Sequence, residues 1–203
     1  MLEFITNTIS SLGYVGIAFL MALENLIPPI PSELIMPLAG FTVTQGKMNF
    51  TLAIFAGTIG SVLGALPWYF LGDYWGLERT KEIADRYGKW LTLSSKDVER
   101  ANDWFNRRGY WATGLGRLIP GIRTYISLPA GISKMPLLPF LFYSTVGSIF
   151  WVTFLTGAGY VLGANYEKVA TYLKPFSVLV LIAVVSAIIY GILKRKKSLF
   201  GKR

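Results

Sequence analysis

Residues 24–33 read ENLIPPIPSE, and this stretch decides the fold of the chain. It lies within apolar sequence, yet Pro28, Pro29 and Pro31 interrupt any helix that would run through it. Each proline lacks a backbone N–H and disfavours α geometry in the residue before it. The stretch therefore predicts a helix that stops, turns within the apolar region and resumes near Glu33, with Ser32 as a cap.

A second apolar stretch is broken in the same way. Residues 116–124 read GRLIPGIRT, with the break at Pro120 and Gly121. Proline ends a helix and glycine permits the tight turn that follows it. We expect two broken helical hairpins, one around each interruption.

The rest of the chain has the composition of a membrane protein. Of its 203 residues, 53% are hydrophobic and 15% are charged, whereas roughly 25% are charged in a soluble domain. Three ranges contain no charged residue: 48–72, 135–166 and 175–193. Because a helix needs about 20 apolar residues to cross a bilayer, we predict an all-α integral membrane protein with about three full transmembrane helices.

Several functional classes are disfavoured by what the chain lacks. It has no Cys and no His, which removes the commonest general base and the commonest metal ligand. We expect no catalytic residues, no metal, no cofactor and no enzymatic activity.

The net charge of +9 collects at 79–108 and 194–203, beside apolar spans. This distribution is typical of cytoplasmic membrane flanks and not of a protein that binds nucleic acid. A cleaved signal peptide is not expected, since the N-terminus lacks a basic region.

The distribution of basic residues predicts the topology. With the basic tail in the cytoplasm, only Lys47, Lys168 and Lys174 of the twenty Lys and Arg residues lie outside, in agreement with the positive-inside rule. A single membrane domain, 1–203, then contains these parts in order: a re-entrant hairpin 13–45 entering from outside, a transmembrane helix 49–72, a cytoplasmic amphipathic segment 78–108, a re-entrant hairpin 110–134 entering from the cytoplasm, and transmembrane helices 137–163 and 175–193.

The two halves of the chain resemble each other. Residues 57–61 read GTIGS and residues 144–148 read STVGS, while Gly-Tyr pairs begin both hairpins at 13 and 109. These matches define an inverted repeat of 13–77 and 109–165. Inverted repeats with broken helices are a transporter design whose binding site lies at mid-membrane. Gly-x-x-x-Gly spacings permit close packing within or between chains, which leaves a homodimer open.

Four charged residues lie inside the two hairpins: Glu24, Glu33, Arg117 and Arg123. An uncompensated charge at the bilayer centre costs about 2.5–3.5 kcal/mol or more, so each needs a partner or water. Two convergent guanidinium groups together with Thr124 suit a phosphate. The alternative is mutual neutralisation of the acids and bases, and we favour a mixed account in which a substrate competes with the carboxylates. Asp73, near a helix end, is interpreted as solvated.

These motifs resemble the two signature motifs of the bacterial DedA family (VTT or SNARE-associated domain). The likeness extends through LPAG at 128–131 to Gly147 and Trp151 and covers roughly residues 13–165. It implies a fold with inverted re-entrant hairpins, essential acids at Glu24 and Glu33, and essential arginines at Arg117 and Arg123. This chain departs from many members in one place, since they carry an Asp in a longer loop where this chain has Pro-Ser-Glu33.

The resemblance also implies a function. Some members of this family translocate undecaprenyl phosphate, the carrier lipid of cell-wall synthesis, across the bacterial plasma membrane, and the short break here resembles the branch that contains them. The expectation is a lipid-phosphate flippase in which two arginines hold the phosphate and two glutamates gate it or couple it to protons. The alternatives are a phospholipid flippase or scramblase, for example for phosphatidylethanolamine, and a proton-coupled carrier of a small solute.

Overall fold

The structure is a computed structural model that describes residues 2–26, 32–91, 94–120 and 122–165. The expected transmembrane helix 175–193 and the orientation of the basic tail lie outside these residues. So do the interrupting residues Pro28, Pro29, Pro31 and Gly121.

Within the described residues, every regular element is helical. The helices are α1 (Leu2–Leu26), α2 (Ser32–Thr44), α3 (Phe50–Leu91), α4 (Ser95–Gly116), α5 (Ile122–Tyr125), α6 (Ser127–Ile132) and α7 (Leu137–Leu162), and a short 3-10 turn (Gly163–Asn165) follows. Three stretches are long and apolar enough to cross a membrane: Leu2–Leu26, Phe50–Arg86 and Leu137–Leu162. The protein is thus an all-α membrane protein.

Two of the long helices change direction at a glycine. Gly13 in α1 has φ 58° and ψ −129°, and Gly76 in α3 has φ 66° and ψ −179°. Residues with a side chain rarely adopt these angles. The bend at Gly76 separates the apolar part of α3 from its charged continuation, and the bend at Gly13 separates residues 2–12 from the apolar arm that leads to Glu24.

Helix α4 runs through residue 109, where the sequence analysis placed the boundary between the amphipathic segment 78–108 and the second hairpin. It begins after Ser94, whose hydroxyl donates to Asp97 Oδ2 at 2.7 Å, and continues without interruption to Gly116. The predicted amphipathic segment 78–108 is thus divided between the end of α3 and the start of α4, and its part from Ser95 onward forms one helix with the arm that leads to Arg117. After Gly116 the backbone tightens, because Arg117 N donates to Gly114 O at 3.2 Å and Leu118 N to Leu115 O at 3.0 Å.

Glycines set how closely the helices approach one another. At each closest crossing, a Cβ on the glycine would overlap a backbone atom of the neighbouring helix. The crossings are α1 on α3 (Gly60 and Gly64), α6 on α3 (Gly72 and Gly131), α2 on α7 (Gly40 and Gly159) and α4 on α7 (Gly147). Small residues at such crossings are how membrane helices gain packing without a hydrophobic driving force.

Candidate functional site

The first charged centre is a buried ion pair. Arg123 Nη2 contacts Glu24 Oε1 directly, and the two residues are 5% and 6% exposed. The guanidinium also lies over the Trp151 ring, with Cζ 5.5 Å from the ring centroid. Carboxylate and aromatic face together neutralise and cover the cation. This pair connects the end of α1, before the first break, with α5, after the second.

The second charged centre has no acidic partner among the described residues. Arg117, at the end of α4, is 2% exposed. Its Nη2 donates to Ser127 Oγ at 3.0 Å and to Ser144 Oγ at 3.3 Å. Its Nε and Nη1 are buried and have no hydrogen-bond partner, and none of the ion pairs among the described residues includes it. Most of its N–H donors are therefore unused, in a place where an unpaired donor is costly.

The other predicted site residues lie nearby along the chain. Glu33 is half-buried in the first turn of α2, and none of the ion pairs in the described part of the chain includes it. Thr124 is buried in α5 directly after Arg123. Pro120 lies in the turn before α5. The structure therefore brings Glu24 and Arg123 together and pairs neither Glu33 nor Arg117 with an opposite charge.

A buried polar line that the sequence analysis did not assign to the site connects the two centres. Asn25, next to Glu24, donates through Nδ2 to Ser61 O at 3.3 Å and to Ser61 Oγ at 3.4 Å. Ser61 Oγ lies 3.3 Å from Ser148 Oγ. Ser148 is one helical turn beyond Ser144, which binds Arg117. A signal was present in the sequence, because Ser61 and Ser148 end the two matching pentapeptides.

Trp151 and Trp68 fix the ends of the first break. Trp151 Nε1 donates to Ser32 Oγ at 3.3 Å, so α7 holds the start of α2. Trp68 Nε1 donates to Asn25 O at 2.7 Å, so α3 holds the end of α1. Backbone carbonyls and caps at a broken helix need such partners. The indole N–H groups therefore position the residues on both sides of the break.

Asp73 lies outside this site. Lys134 Nζ is 2.9 Å from Asp73 Oδ1 and donates to Asp73 O at 2.5 Å. The two side chains are 43% and 63% exposed, so water screens their attraction. The pair ties the end of α6 to α3, in keeping with the solvated interpretation of Asp73.

A cation site built from acids is not formed by the described residues. No group of three or more Asp, Glu, His or Cys side chains that could hold a metal ion occurs among them.

Comparisons with known proteins agree with the motifs. The VTT domain matches residues 28–161. The chain is 41% identical over 201 residues to an "Alkaline phosphatase-like protein" of Lactococcus lactis subsp. cremoris (strain MG1363), covering 98% of this chain and 94% of the relative. It is 35% identical over 188 residues to "Undecaprenyl phosphate transporter A" of Staphylococcus aureus (strain NCTC 8325 / PS 47), covering 93% of both chains.

A further relative carries the same name. "Undecaprenyl phosphate transporter A" of Bacillus subtilis (strain 168) is 31% identical over 202 residues, with 98% of this chain and 96% of the relative covered. No solved structure matches the chain significantly.

Proposed function

We propose that this chain, which belongs to the VTT-domain (DedA) family of membrane transporters, is a lipid-phosphate flippase that translocates undecaprenyl phosphate across the bacterial plasma membrane. The observation that carries the proposal is the buried, acid-free guanidinium of Arg117. The phosphate binds between Arg117 and Arg123, and Thr124 and the serine hydroxyls contribute further hydrogen bonds. The polyprenyl tail stays in the lipid beside the helices.

The hydrogen-bonding groups around Arg117 suit a bound phosphate. A guanidinium fork matches two phosphate oxygens, and each charged hydrogen bond is shorter and stronger than a neutral one. Ser127 and Ser144 accept from Arg117 through their oxygens, which leaves each hydroxyl proton free to donate to an anion. Among the described residues, this site offers N–H and O–H donors that suit a phosphate, and no carboxylate pairs with Arg117 there.

The Glu24–Arg123 pair gives the transporter its gate. A phosphate that reaches Arg123 competes with Glu24 for the same guanidinium nitrogens. Released from Arg123, Glu24 takes up a proton or turns towards water, since an unpaired carboxylate in this setting is costly. Glu33, half-buried at the start of α2, is the second gating or proton-coupling acid. Protons are therefore the proposed coupling ion.

The architecture behind this mechanism is an inverted repeat of two re-entrant hairpins. From Gly13 to Leu26 the arm of α1 spans about 20 Å, at roughly 1.5 Å per residue, which is less than the roughly 30 Å hydrocarbon core. Gly76 and Gly163 stand at matching positions of the two halves and both have positive φ. Ser61 and Ser148 also match, and they face each other. These observations support repeats 13–77 and 109–165.

Transport by reconstituted protein tests the proposal. Arg117→Lys keeps a positive charge but loses the guanidinium fork, so undecaprenyl phosphate transport into liposomes should fall at least about tenfold, the equivalent of one lost charged hydrogen bond. The matched control is Arg108→Lys on the exposed face of α4, which should transport as the wild type does. Full activity in Arg117→Lys would contradict phosphate binding by the fork.

The same liposomes separate the alternative substrates and mechanisms. A phospholipid flippase would move labelled phosphatidylethanolamine as well as undecaprenyl phosphate, and a passive scramblase would ignore an imposed pH gradient. A phosphatase would release inorganic phosphate from undecaprenyl phosphate. We expect transport of the polyprenyl phosphate, dependence on the pH gradient and no phosphate release.

A further inference from the structure

One face of α4 carries a series of exposed side chains whose chemistry changes along the helix. They follow one another at intervals of three or four residues, and all are exposed: Lys96, Arg100, Trp104, Arg107, Trp111 and Leu115. Because an α-helix turns once in 3.6 residues, these intervals place the side chains along one side of the helix. We call this series the α4 stripe. It begins with cations, continues with tryptophans on either side of a third cation, and ends with a leucine.

The acids of α4 do not neutralise the stripe. Glu99 pairs with Lys81 of α3, and Asp97 accepts hydrogen bonds at the start of the helix. Asp103 is exposed, and Arg107 Nε donates to its backbone oxygen at 3.3 Å. Within the described residues, no ion pair includes a cation of the stripe. The stripe therefore presents a net positive face.

A small cavity and an exposed ion pair locate the membrane surface along α4. Lys134 and Tyr110 line the same cavity, so this part of α4 lies beside Lys134. Lys134 pairs with Asp73, and both side chains are exposed, which places them outside the hydrocarbon core because exposed charges are costly in lipid. The next residue of α4, Trp111, is 68% exposed, and tryptophan is enriched where headgroups meet hydrocarbon. The membrane surface therefore crosses α4 near Trp111.

The α4 stripe extends to both sides of this surface. On the hydrocarbon side, Leu115 is 56% exposed, and α4 packs there on the transmembrane helix α7 at Gly147. On the water side, Arg107 precedes Trp111 by four residues, about 6 Å along the helix. The headgroup layer is about 5–8 Å thick on each side of a bilayer, so Arg107 lies within it. Arg100 and the start of α4 lie further out. One continuous face is thus aliphatic at the depth of the lipid chains and cationic at the depth of the headgroups.

We propose that the α4 stripe is a docking surface for anionic lipid headgroups of the leaflet next to the start of α4, which is the cytoplasmic leaflet in the predicted topology. Arg107 binds headgroup phosphates, Trp111 lies at the boundary with the hydrocarbon, and Leu115 contacts the acyl chains. Arg100 adds a weaker attraction, because attraction between charges declines over about 8–10 Å in physiological salt. The inference goes beyond the proposed function and does not depend on which lipid the chain transports.

A lipid surface matches the stripe, and a soluble partner does not. Trp111 and Leu115 lie at and below the membrane surface, where a soluble protein or a nucleic acid does not reach. An anionic bilayer presents negative phosphates above apolar chains, which is the order of cation, tryptophan and leucine along the stripe. The charge and the apolar surface of one face are therefore complementary to the same partner.

Docking of the stripe also determines how deep Arg117 lies. Arg117 follows Trp111 by six residues, which is at most about 9 Å along the helix, whereas half of the hydrocarbon core is about 15 Å. A stripe held at the headgroups therefore keeps Arg117 in the cytoplasmic half of the bilayer. Under the proposed function, a lipid phosphate that leaves Arg117 then has a short distance to travel to the headgroups of that leaflet.

Binding of phosphatidylglycerol tests the proposal. Native mass spectrometry of the full chain in a neutral detergent, titrated with anionic phosphatidylglycerol or zwitterionic phosphatidylcholine, gives a dissociation constant for each lipid. We expect the wild type to bind phosphatidylglycerol more tightly. Arg100→Gln/Arg107→Gln should raise the dissociation constant of phosphatidylglycerol by about 5- to 25-fold, since each cation near an anionic surface changes affinity by about fivefold. It should leave the dissociation constant of phosphatidylcholine unchanged.

Arg100→Lys/Arg107→Lys is the matched control, because it keeps both charges. It should bind phosphatidylglycerol within about twofold of the wild type, and the two double variants should share one unfolding midpoint. The proposal is overturned if the glutamine variant binds phosphatidylglycerol as the wild type does, if the lysine variant loses as much affinity, or if the wild type binds both lipids equally.

Arg117→Met distinguishes the stripe from the site already described. It should bind phosphatidylglycerol as the wild type does, and a loss of that binding would place the lipid at Arg117 and overturn the stripe. If the wild type binds phosphatidylglycerol at the stripe but does not move undecaprenyl phosphate, the proposed function fails and the docking surface is supported.

Discussion

The two arginines of the second hairpin are six positions apart and have opposite surroundings. Arg123 is neutralised by Glu24 and covered by Trp151. Arg117 is equally buried, and within the described part of the chain its side chain hydrogen-bonds to two serine hydroxyls and to no acid. The two charges of the ion pair compensate each other, although Glu24 Oε2 is buried without a hydrogen-bond partner among the described residues, whereas a buried cation without an acidic partner needs something else to compensate its charge. Under the proposed function, we interpret the Glu24–Arg123 centre as stabilising the resting structure and the Arg117 centre as the place where an anion binds.

The largest effect should come from breaking the buried ion pair of Glu24 and Arg123. Glu24→Ala leaves Arg123 buried without its carboxylate, and it should lower the free energy of unfolding by about 3–5 kcal/mol. Thermal unfolding in detergent measures this. Glu33→Ala is the matched control, since no ion pair of Glu33 occurs in the described part of the chain, and it should cost far less. Equal losses of stability in the two variants would mean that the ion pair of Glu24 contributes no more to stability than Glu33 does.

The next largest effect should appear when the two arginines are compared for protein stability and for lipid binding. Arg117→Met removes a guanidinium without stranding a carboxylate, so the unfolding midpoint should stay level or rise while undecaprenyl phosphate binding falls by about 10- to 100-fold, the equivalent of roughly 1.5–3 kcal/mol. Arg123→Met strands Glu24 and should lower the midpoint. A comparable drop in midpoint for both variants would mean that Arg117 also has a structural partner.

Smaller effects are expected at the hydroxyls around Arg117. Ser127→Ala and Ser144→Ala should each weaken undecaprenyl phosphate binding by about 2- to 10-fold, since a neutral hydrogen bond contributes roughly 0.5–1.5 kcal/mol. Ser10→Ala, on an exposed part of α1, is the control. If both variants bound undecaprenyl phosphate as tightly as this control, the two serines would make no contribution to phosphate binding.

The smallest effect should be at the exposed pair of Asp73 and Lys134. Because water screens it, Asp73→Asn should change the free energy of unfolding by no more than about 1 kcal/mol and leave lipid binding unchanged. The unfolding midpoint with and without added salt measures this. A loss as large as that of Glu24→Ala would place Asp73 in the site after all.

The sequence was sufficient for the helical class and for the charged residues worth examining. The charge-free ranges 48–72 and 135–166 fall on α3 and α7, because length and apolarity alone determine what can cross a bilayer. The continuity of α4 through residue 109 was not predictable. A Gly-Tyr pair looks like the start of a hairpin, but a lone glycine costs a helix only about 1 kcal/mol, and packing against α7 overrides it.

The pairing within the site also required coordinates. Sequence allowed either arginine to pair with either glutamate, whereas the structure pairs Glu24 with Arg123. The matching pentapeptides place Ser61 and Ser148 at equivalent positions of the two halves. Their contact could not be predicted from this, because serines in membrane helices often hydrogen-bond to their own backbone. Only the packing of α3 on α7 distinguishes a facing pair from two unrelated serines.

The central claim is that Arg117 is held unpaired for a lipid phosphate. Quantitative mass spectrometry of lipids that copurify with the protein tests it most directly, with Arg117→Met compared to the wild type at equal folded protein. The account predicts that undecaprenyl phosphate copurifies with the wild type and is strongly depleted in the variant. An equal amount of that lipid in both preparations would contradict it.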